Sequence, residues 1–424
     1  MEPVIRPEFF PFEYEGKQLL AVEISEIMQN KKPCYYKPKG IVKGSYTRVG
    51  DRDEVMTSYE LYALQSYNDG IREDIRPNKR AGVEDLSQED LDEYLKIVKE
   101  DKPNFSKNSK EKILKLCGIT DNSDGIIYPT LAGTMIFGEY PQSFYPQLFI
   151  ACAVIPGNEL GEIGEVGQRF NDNKRIEGTI EQMLEETLSF LKKNMRTKVV
   201  IDPKTGKREN TPEYPMLALR EAVANALIHR DYSIQTENAF VQVYMYDDRI
   251  VIQNPGGLYG MNKIEKLGTD TVMESRNSTI VRILEEKGAI IENRHSGIPT
   301  MRRKMKNMNL PDPEFIEERG SFKVIFRNST ENRGQVGGQV GGQVGGQVGG
   351  QVNIKARASI QEYKNKVKLF CSSPRSAREI REHLGISSRS YVNENIIKPL
   401  IDEGVLDYTN KKSVRASNQK YIVR

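Results

Sequence analysis

The stretch PMLALREAVANALIHRD, residues 215–231, decides how the middle of this chain folds. Its proline stands where a helix can start without losing a needed N–H, and the run that follows is rich in strong helix formers. Leu217, Ala218, Val223, Ala226 and Leu227 are expected to face a core. Glu221 and Asn225 stand four apart, which puts both side chains on one helical face. A carboxylate there could orient water, and an amide oxygen could contact a phosphate-bound Mg²⁺. Taken alone, the pair reads as a solvated glutamate and an asparagine satisfied by nearby backbone, but it does not stand alone.

Working outward, residues 239–245 and 249–253 read as two strands joined by a turn at Tyr246, Asp247 and Asp248, followed by Asn254, Pro255, Gly256, Gly257 and Leu258. Glycines at strand ends let backbone N–H groups approach a ligand closely, although each turn taken alone reads as a plain connection. Upstream, residues 19–25 and 43–49 read as strands, the latter leading to a turn at Gly50 and Asp51. Helices are expected over residues 57–68, 85–99, 130–137 and 176–195, with a buried strand over 147–155. The fold class is therefore α/β (α+β) and multi-domain.

In this order the segments resemble the carboxy-terminal domain of the transcriptional regulators and RecG-helicase-related proteins, a divergent branch of the GHKL ATPases. The resemblance covers residues 130–326 and rests on REAVANALIHRDYS (220–233), DRIVIQNPGGL (248–258), SRNSTI (275–280) and the HSGI segment (295–298) with Met301 behind it. It implies a GHKL-like α/β sandwich and a site for ATP and Mg²⁺. Asn225 would contact Mg²⁺, and Glu221 would be the catalytic, water-orienting carboxylate. Asn254, Gly256 and Gly257 would form the adenine-side loop, with Ser296 and Gly297 as the second glycine motif.

Two departures from the family pattern bear on activity. The family places an aspartate against the adenine amino group, where this chain offers Gln253 and Asn254. An amide accepts less strongly than a carboxylate. His295 stands where the family has a glycine. Weak ATP binding and slow or absent turnover are the expectation. His229-Arg230-Asp231 resembles a kinase catalytic loop, but Thr236 occupies the metal-binding asparagine position and no Asp-Phe-Gly follows. Gly161, Gly164 and Gly167 do not form a helicase phosphate loop.

Residues 34–50, CYYKPKGIVKGSYTRVG, resemble the end of a Schlafen/AlbA-type domain through Tyr46-Thr47-Arg48-Val49-Gly50. The first half of that domain has no counterpart here, so the chain is expected to be truncated or a shortened relative. Lys37, Lys39, Lys43 and Arg48 could touch phosphates, but the reading taken for them is a solvated edge.

Residues 334–352 repeat Gly-Gln-Val-Gly and carry too little bulk to form a core. They read as a flexible linker spanning about 25 Å. From Asn353 onward fifteen basic residues oppose seven acidic ones, a balance of +8 in a chain whose total is +3. That asymmetry fits a module that meets phosphates. Helical spacing over 359–371, 376–384 and 388–400, a turn at 385–387, and strands at 404–406 and 420–423 resemble a winged helix of bacterial regulators. Ser388, Arg389, Ser390, Tyr391 and Asn393 would meet double-stranded DNA at the third helix, with Lys411, Lys412 and Arg415 in the wing.

The expected domains are 1–75, partial Schlafen/AlbA-like; 76–333, a helical lead-in and GHKL-like domain; 334–352, linker; and 353–424, winged helix. Cys34, Cys117, Cys152 and Cys371 lie far apart and the three histidines lack ligand spacing, so reduced thiols and no structural metal are expected. No run approaches the roughly 18 apolar residues of a membrane span. The opening dozen residues mix charges and prolines, unlike a signal peptide. The reading is a cytoplasmic, homo-oligomeric, DNA-binding transcriptional regulator with a degenerate ATP-binding-like sensor. The alternative is a GHKL-type ATP-hydrolysing enzyme acting near nucleic acid.

Overall fold

Apolar residues at period two build the central sheet of the larger unit. The computed structural model describes residues 1–49, 52–201, 208–269, 271, 273–288, 297–328, 366–368, 370–384, 392, 396–409 and 420–423. The chain divides into two compact units, Met1–Gln339 and Val340–Arg424. In chain order the first holds β1 (Glu8–Tyr14), β2 (Lys17–Glu23), α1 (Gly40–Gly44), β3 (Tyr46–Val49), β4 (Arg52–Val55) and α2 (Ser58–Asn68). There follow α3 (Gln88–Asp101), α4 (Lys110–Leu116), β5 (Thr120–Ser123), β6 (Ile126–Pro129), α5 (Leu131–Phe137), β7 (Ile150–Val154), β8 (Asp172–Ile176) and α6 (Ile180–Asn194). Then come β9 (Thr197–Ile201), β10 (Arg208–Pro212), α7 (Met216–His229), β11 (Val241–Met245), β12 (Arg249–Pro255), α8 (Ser278–Glu286), α9 (Gly297–Asn307), β13 (Glu314–Glu318) and β14 (Ser321–Arg327).

The main sheet has six strands in the order β13-β14-β12-β11-β7-β8. Only β11 with β7 is parallel, so the sheet is mixed. A parallel pair needs a crossover. The chain between β7 and β11 supplies it and carries α6 and α7. Ile150, Cys152, Val241, Val243, Met245, Ile250, Ile252, Val324 and Phe326 are buried, whereas the alternate residues Gln242, Tyr244, Val251 and Gln253 are half-exposed. One face therefore carries the core, and α6 and α7 lie on it. Each fully buried Ile or Phe contributes on the order of 1.5–3 kcal/mol of transfer free energy. The result is a mixed α/β, multi-domain protein.

Several expectations shift in the structure. Leu217 is exposed, while Leu219, Ala222 and Ile228 are buried. The helix has neighbours on most sides, so no single apolar stripe marks its buried face. The helix expected over 176–195 starts at Ile180, because Thr179 accepts from the Gln182 N–H and Gln182 accepts from the Thr179 N–H. Ile176 instead ends the edge strand β8. The strand expected over 19–25 is β2, paired with β1, which the two prolines flanking and interrupting it at Pro7 and Pro11 hid from sequence reading. The expected turn at Gly50 and Asp51 lies outside the described residues. Among the described residues no helix is long and apolar enough to cross a membrane.

The second unit contains β15 (Arg375–Ser376), α10 (Ala377–Leu384), α11 (Lys398–Asp402), β16 (Leu406–Tyr408) and β17 (Lys420–Val423). Its sheet order is β15-β17-β16, antiparallel throughout. Ser376 and Glu379 exchange hydrogen bonds that cap α10. Val367, Cys371, Ile380, Leu384, Val392, Ile396, Ile397, Leu400 and Leu406 form its core. Gly404 takes φ +71° to close α11, which delays the strand expected at 404–406 to Leu406. The expected linker, most of the helix over 359–371 and the turn at 385–387 lie outside the described residues.

Candidate functional site

Helix α7 presents Glu221, Asn225 and His229 at successive turns, and all three line one cavity of about 370 Å³. Ala222 and Ala226 stand beside them in the lining and keep the floor low. The facing wall comes from β12 through Asn254, and from Gly257, Leu258 and Tyr259 just beyond it. Phe322 and Val324 of β14 and Phe315 of β13 close the apolar side. The Phe315 and Phe322 rings stack with centroids 6.3 Å apart.

Helix α9 meets α7 at its first residue. A Cβ on Gly297 would lie 2.9 Å from Glu221 Oε2 and 3.4 Å from Asn225 Nδ2. Met301 and Met305, one and two turns on, are fully buried and hold α9 in the core beside α7. Leu267, Gly268 and Thr269 line the cavity as well, with Gly268 so near α9 that a Cβ would lie 2.8 Å from Ile298 Cγ2.

The segment after α7 is a knot of buried polar groups. Arg230 is 1% exposed and donates through Nη2 to the carbonyls of Thr236 (3.1 Å) and Ala239 (2.9 Å). Burial lowers its pKa, opposed by the neighbouring Tyr232 and Asp231. Asn277 donates to the carbonyls of Ile228 (2.7 Å) and Arg230 (2.8 Å), pinning the end of α7. The His-Arg-Asp triplet thus places its arginine in a structural role. Asp231 accepts from the Ser233 N–H and from the Tyr59 hydroxyl, both at 2.8 Å.

The glycine pair after Asn254 divides its work. Gly256 adopts φ +98°, and a Cβ there would lie 2.3 Å from Arg276 Nη1 and 2.6 Å from Asp231 Cβ. Gly256 lets the wall loop approach Asp231, while Gly257 lines the cavity and its carbonyl accepts from Arg276 Nη2 at 3.0 Å. Arg276 lies 5.4 Å over the Tyr259 ring, and its Nη1 sits 3.7 Å from Asp231 Oδ2.

Of the residues singled out from sequence, Glu221, Asn225, Asn254, Gly257 and Gly297 come together on the cavity, and Gly256 packs behind its wall. Ser296 and His295 lie outside the described residues, as do Ser388, Arg389, Ser390, Tyr391, Asn393, Lys411, Lys412 and Arg415. Sequence reading assigned no site role to His229 or Arg276. The four-residue step from Asn225 would have found His229. Nothing local to Arg276 announces its place.

Residues 238–326 match a family model described as "Putative ATP-dependent DNA helicase recG C-terminal". Residues 63–151 match a second model, described as a domain of unknown function, DUF8451. The first match supports a RecG-related, ATPase-like domain in the middle of the chain. No curated protein matches the chain. A crystal structure of the DIP2311 protein from Corynebacterium diphtheriae is similar at 15% identity and a TM-score of 0.41, covering 99% of this chain and 80% of that one.

Proposed function

We propose that the Met1–Gln339 unit is a nucleotide-responsive sensor and that the Val340–Arg424 unit binds duplex DNA, making the protein a transcriptional regulator with a degenerate ATP site. The observation that carries the sensor reading is the convergence of Glu221, Asn225, Asn254 and Gly297 on one cavity. The donor set suits a Mg²⁺-bound nucleotide. Asn225 would hold the metal through its amide oxygen, and Glu221, one turn away, would orient water. The stacked Phe315 and Phe322 with Val324 offer an apolar wall for a base. Mg²⁺ would supply charge neutralisation of the phosphates.

For the DNA reading, support comes from the +8 balance after Asn353 and from the strand order β15-β17-β16 with α10 and α11 before the β16-β17 pair. Ser388, Arg389, Ser390, Tyr391 and Asn393, with Lys411, Lys412 and Arg415, are the residues proposed to meet DNA. Hydrolysis is the second reading, favoured by a carboxylate one turn from the metal-binding amide.

Isothermal titration of the full chain with Mg-ATP tests the sensor. Weak binding, lost in Asn225→Ala, is expected. Micromolar affinity with steady turnover, lost in Glu221→Ala, would make the enzyme reading the better one. For DNA, affinity should fall steeply with salt and weaken in Arg389→Ala. Salt-independent binding, or none, would overturn the regulator reading.

A further inference from the structure

Strand β12 delivers a buried amide to the cavity. Asn254 is 5% exposed and sits in the inward row with Ile250 and Ile252, whereas Gln253 belongs to the opposite face. Among the described residues its Nδ2 makes a single long contact, 3.4 Å to the Pro255 carbonyl, near the limit for a hydrogen bond. Among the described residues no hydrogen bond reaches its Oδ1. Buried polar groups are ordinarily satisfied. Here the amide borders the cavity beside Phe322 and Val324, where a ligand edge can reach it.

An amide offers an acceptor and a donor side by side, and a half-turn about χ2 exchanges them. A 6-aminopurine edge presents an N–H beside a ring nitrogen acceptor. A 6-oxopurine edge presents an oxygen acceptor beside a ring N–H. Each is complementary to the amide in one of its two orientations. Because the only bond fixing Nδ2 among the described residues is 3.4 Å long, exchanging the two atoms sacrifices little. A carboxylate could not adapt in this way, since it only accepts.

We infer that Asn254 is the specificity-determining residue of the site and admits 6-oxopurine as well as 6-aminopurine nucleotides. The inference rests on the nucleotide reading of the cavity. The full chain is titrated with Mg-ATP and with Mg-ITP, which differ only at the edge in question. Affinities within about fivefold of each other are expected for the natural protein, since both edges can be fully paired. Asn254→Asp should shift the ratio towards ATP by about thirtyfold or more, because the carboxylate faces the 6-oxo oxygen with no proton to share. A preference of the natural protein for ATP beyond about thirtyfold would overturn the inference while leaving the nucleotide reading intact. An unchanged ratio in a folded Asn254→Asp variant would do the same. Binding of neither nucleotide by the natural protein would remove the nucleotide reading and this inference together.

Discussion

The Tyr59 hydroxyl donates a 2.8 Å hydrogen bond to Asp231 Oδ2, joining α2 to the turn that follows α7. Asp231 in turn lies 3.7 Å from Arg276, and Arg276 holds the Gly257 carbonyl at 3.0 Å. Helix α2 is thereby linked to the cavity wall through three side chains. Tyr67 adds an edge-on contact with Tyr259, centroids 5.3 Å apart. Burial, then the Asp231 carboxylate, raises the Tyr59 pKa above its ordinary 10.0, so the hydroxyl stays a donor into alkaline pH.

Tyr59→Phe keeps the ring and removes the donor, leaving a carboxylate that is 8% exposed with one partner fewer. A loss of about 1–3 kcal/mol in urea-derived stability is expected. Amide exchange over residues 256–260 should accelerate. Unchanged stability and unchanged exchange would show that the bond does not hold the wall.

Gly297→Ala should weaken Mg-ATP binding about tenfold or more, since the new methyl would stand 2.9 Å from Glu221 Oε2 and displace the pair on α7. Gly288→Ala is the control. Its φ of +67° brings backbone strain of about 1–2 kcal/mol, but nothing lies within 4 Å of the new Cβ. Equal effects on nucleotide affinity from the two substitutions would argue against a special role for the Gly297 contact.

Arg230→Ala leaves the Ala239 carbonyl without its buried donor and the Thr236 carbonyl with the Ala239 N–H alone. Destabilisation of about 2–4 kcal/mol is expected, large enough to lower soluble yield. Arg230→Lys should recover only part of it, because an ammonium cannot reproduce the planar fork. A circular dichroism melt of both variants measures the difference.

Thiol accessibility gives a pH signature. Cys117, Cys152 and Cys371 are buried and Cys34 is half-buried. At pH 8 one fast-reacting thiol is expected in the native protein and four in urea. Burial pushes the Cys152 thiol up to about 12 from an ordinary 9.0. Between those values the unfolded chain ionises while the native thiol stays neutral. The stability this group contributes is fully present below pH 9 and declines as pH rises towards 12. Cys152→Ala should flatten that part of the stability profile.

Local periodicity in the sequence determined α7, β11 and β12, the shared helical face of Glu221 and Asn225, and the capped helix that begins after Ser376. These features depend on neighbours within one or two turns, and side-chain spacing encodes them directly. Alternation along β12 likewise separates Asn254 from Gln253, but only the packed sheet decides that Asn254 is the one facing the helices. Tertiary structure alone decided that Leu217 points outward, that Arg230 is buried, and that Gly256 packs between Asp231 and Arg276. It alone brought Gly297 against Glu221 and Tyr59 against Asp231. Each of these pairs joins elements far apart in the chain, and their contact is fixed by how whole helices and strands fit around one core. No local pattern carries that information.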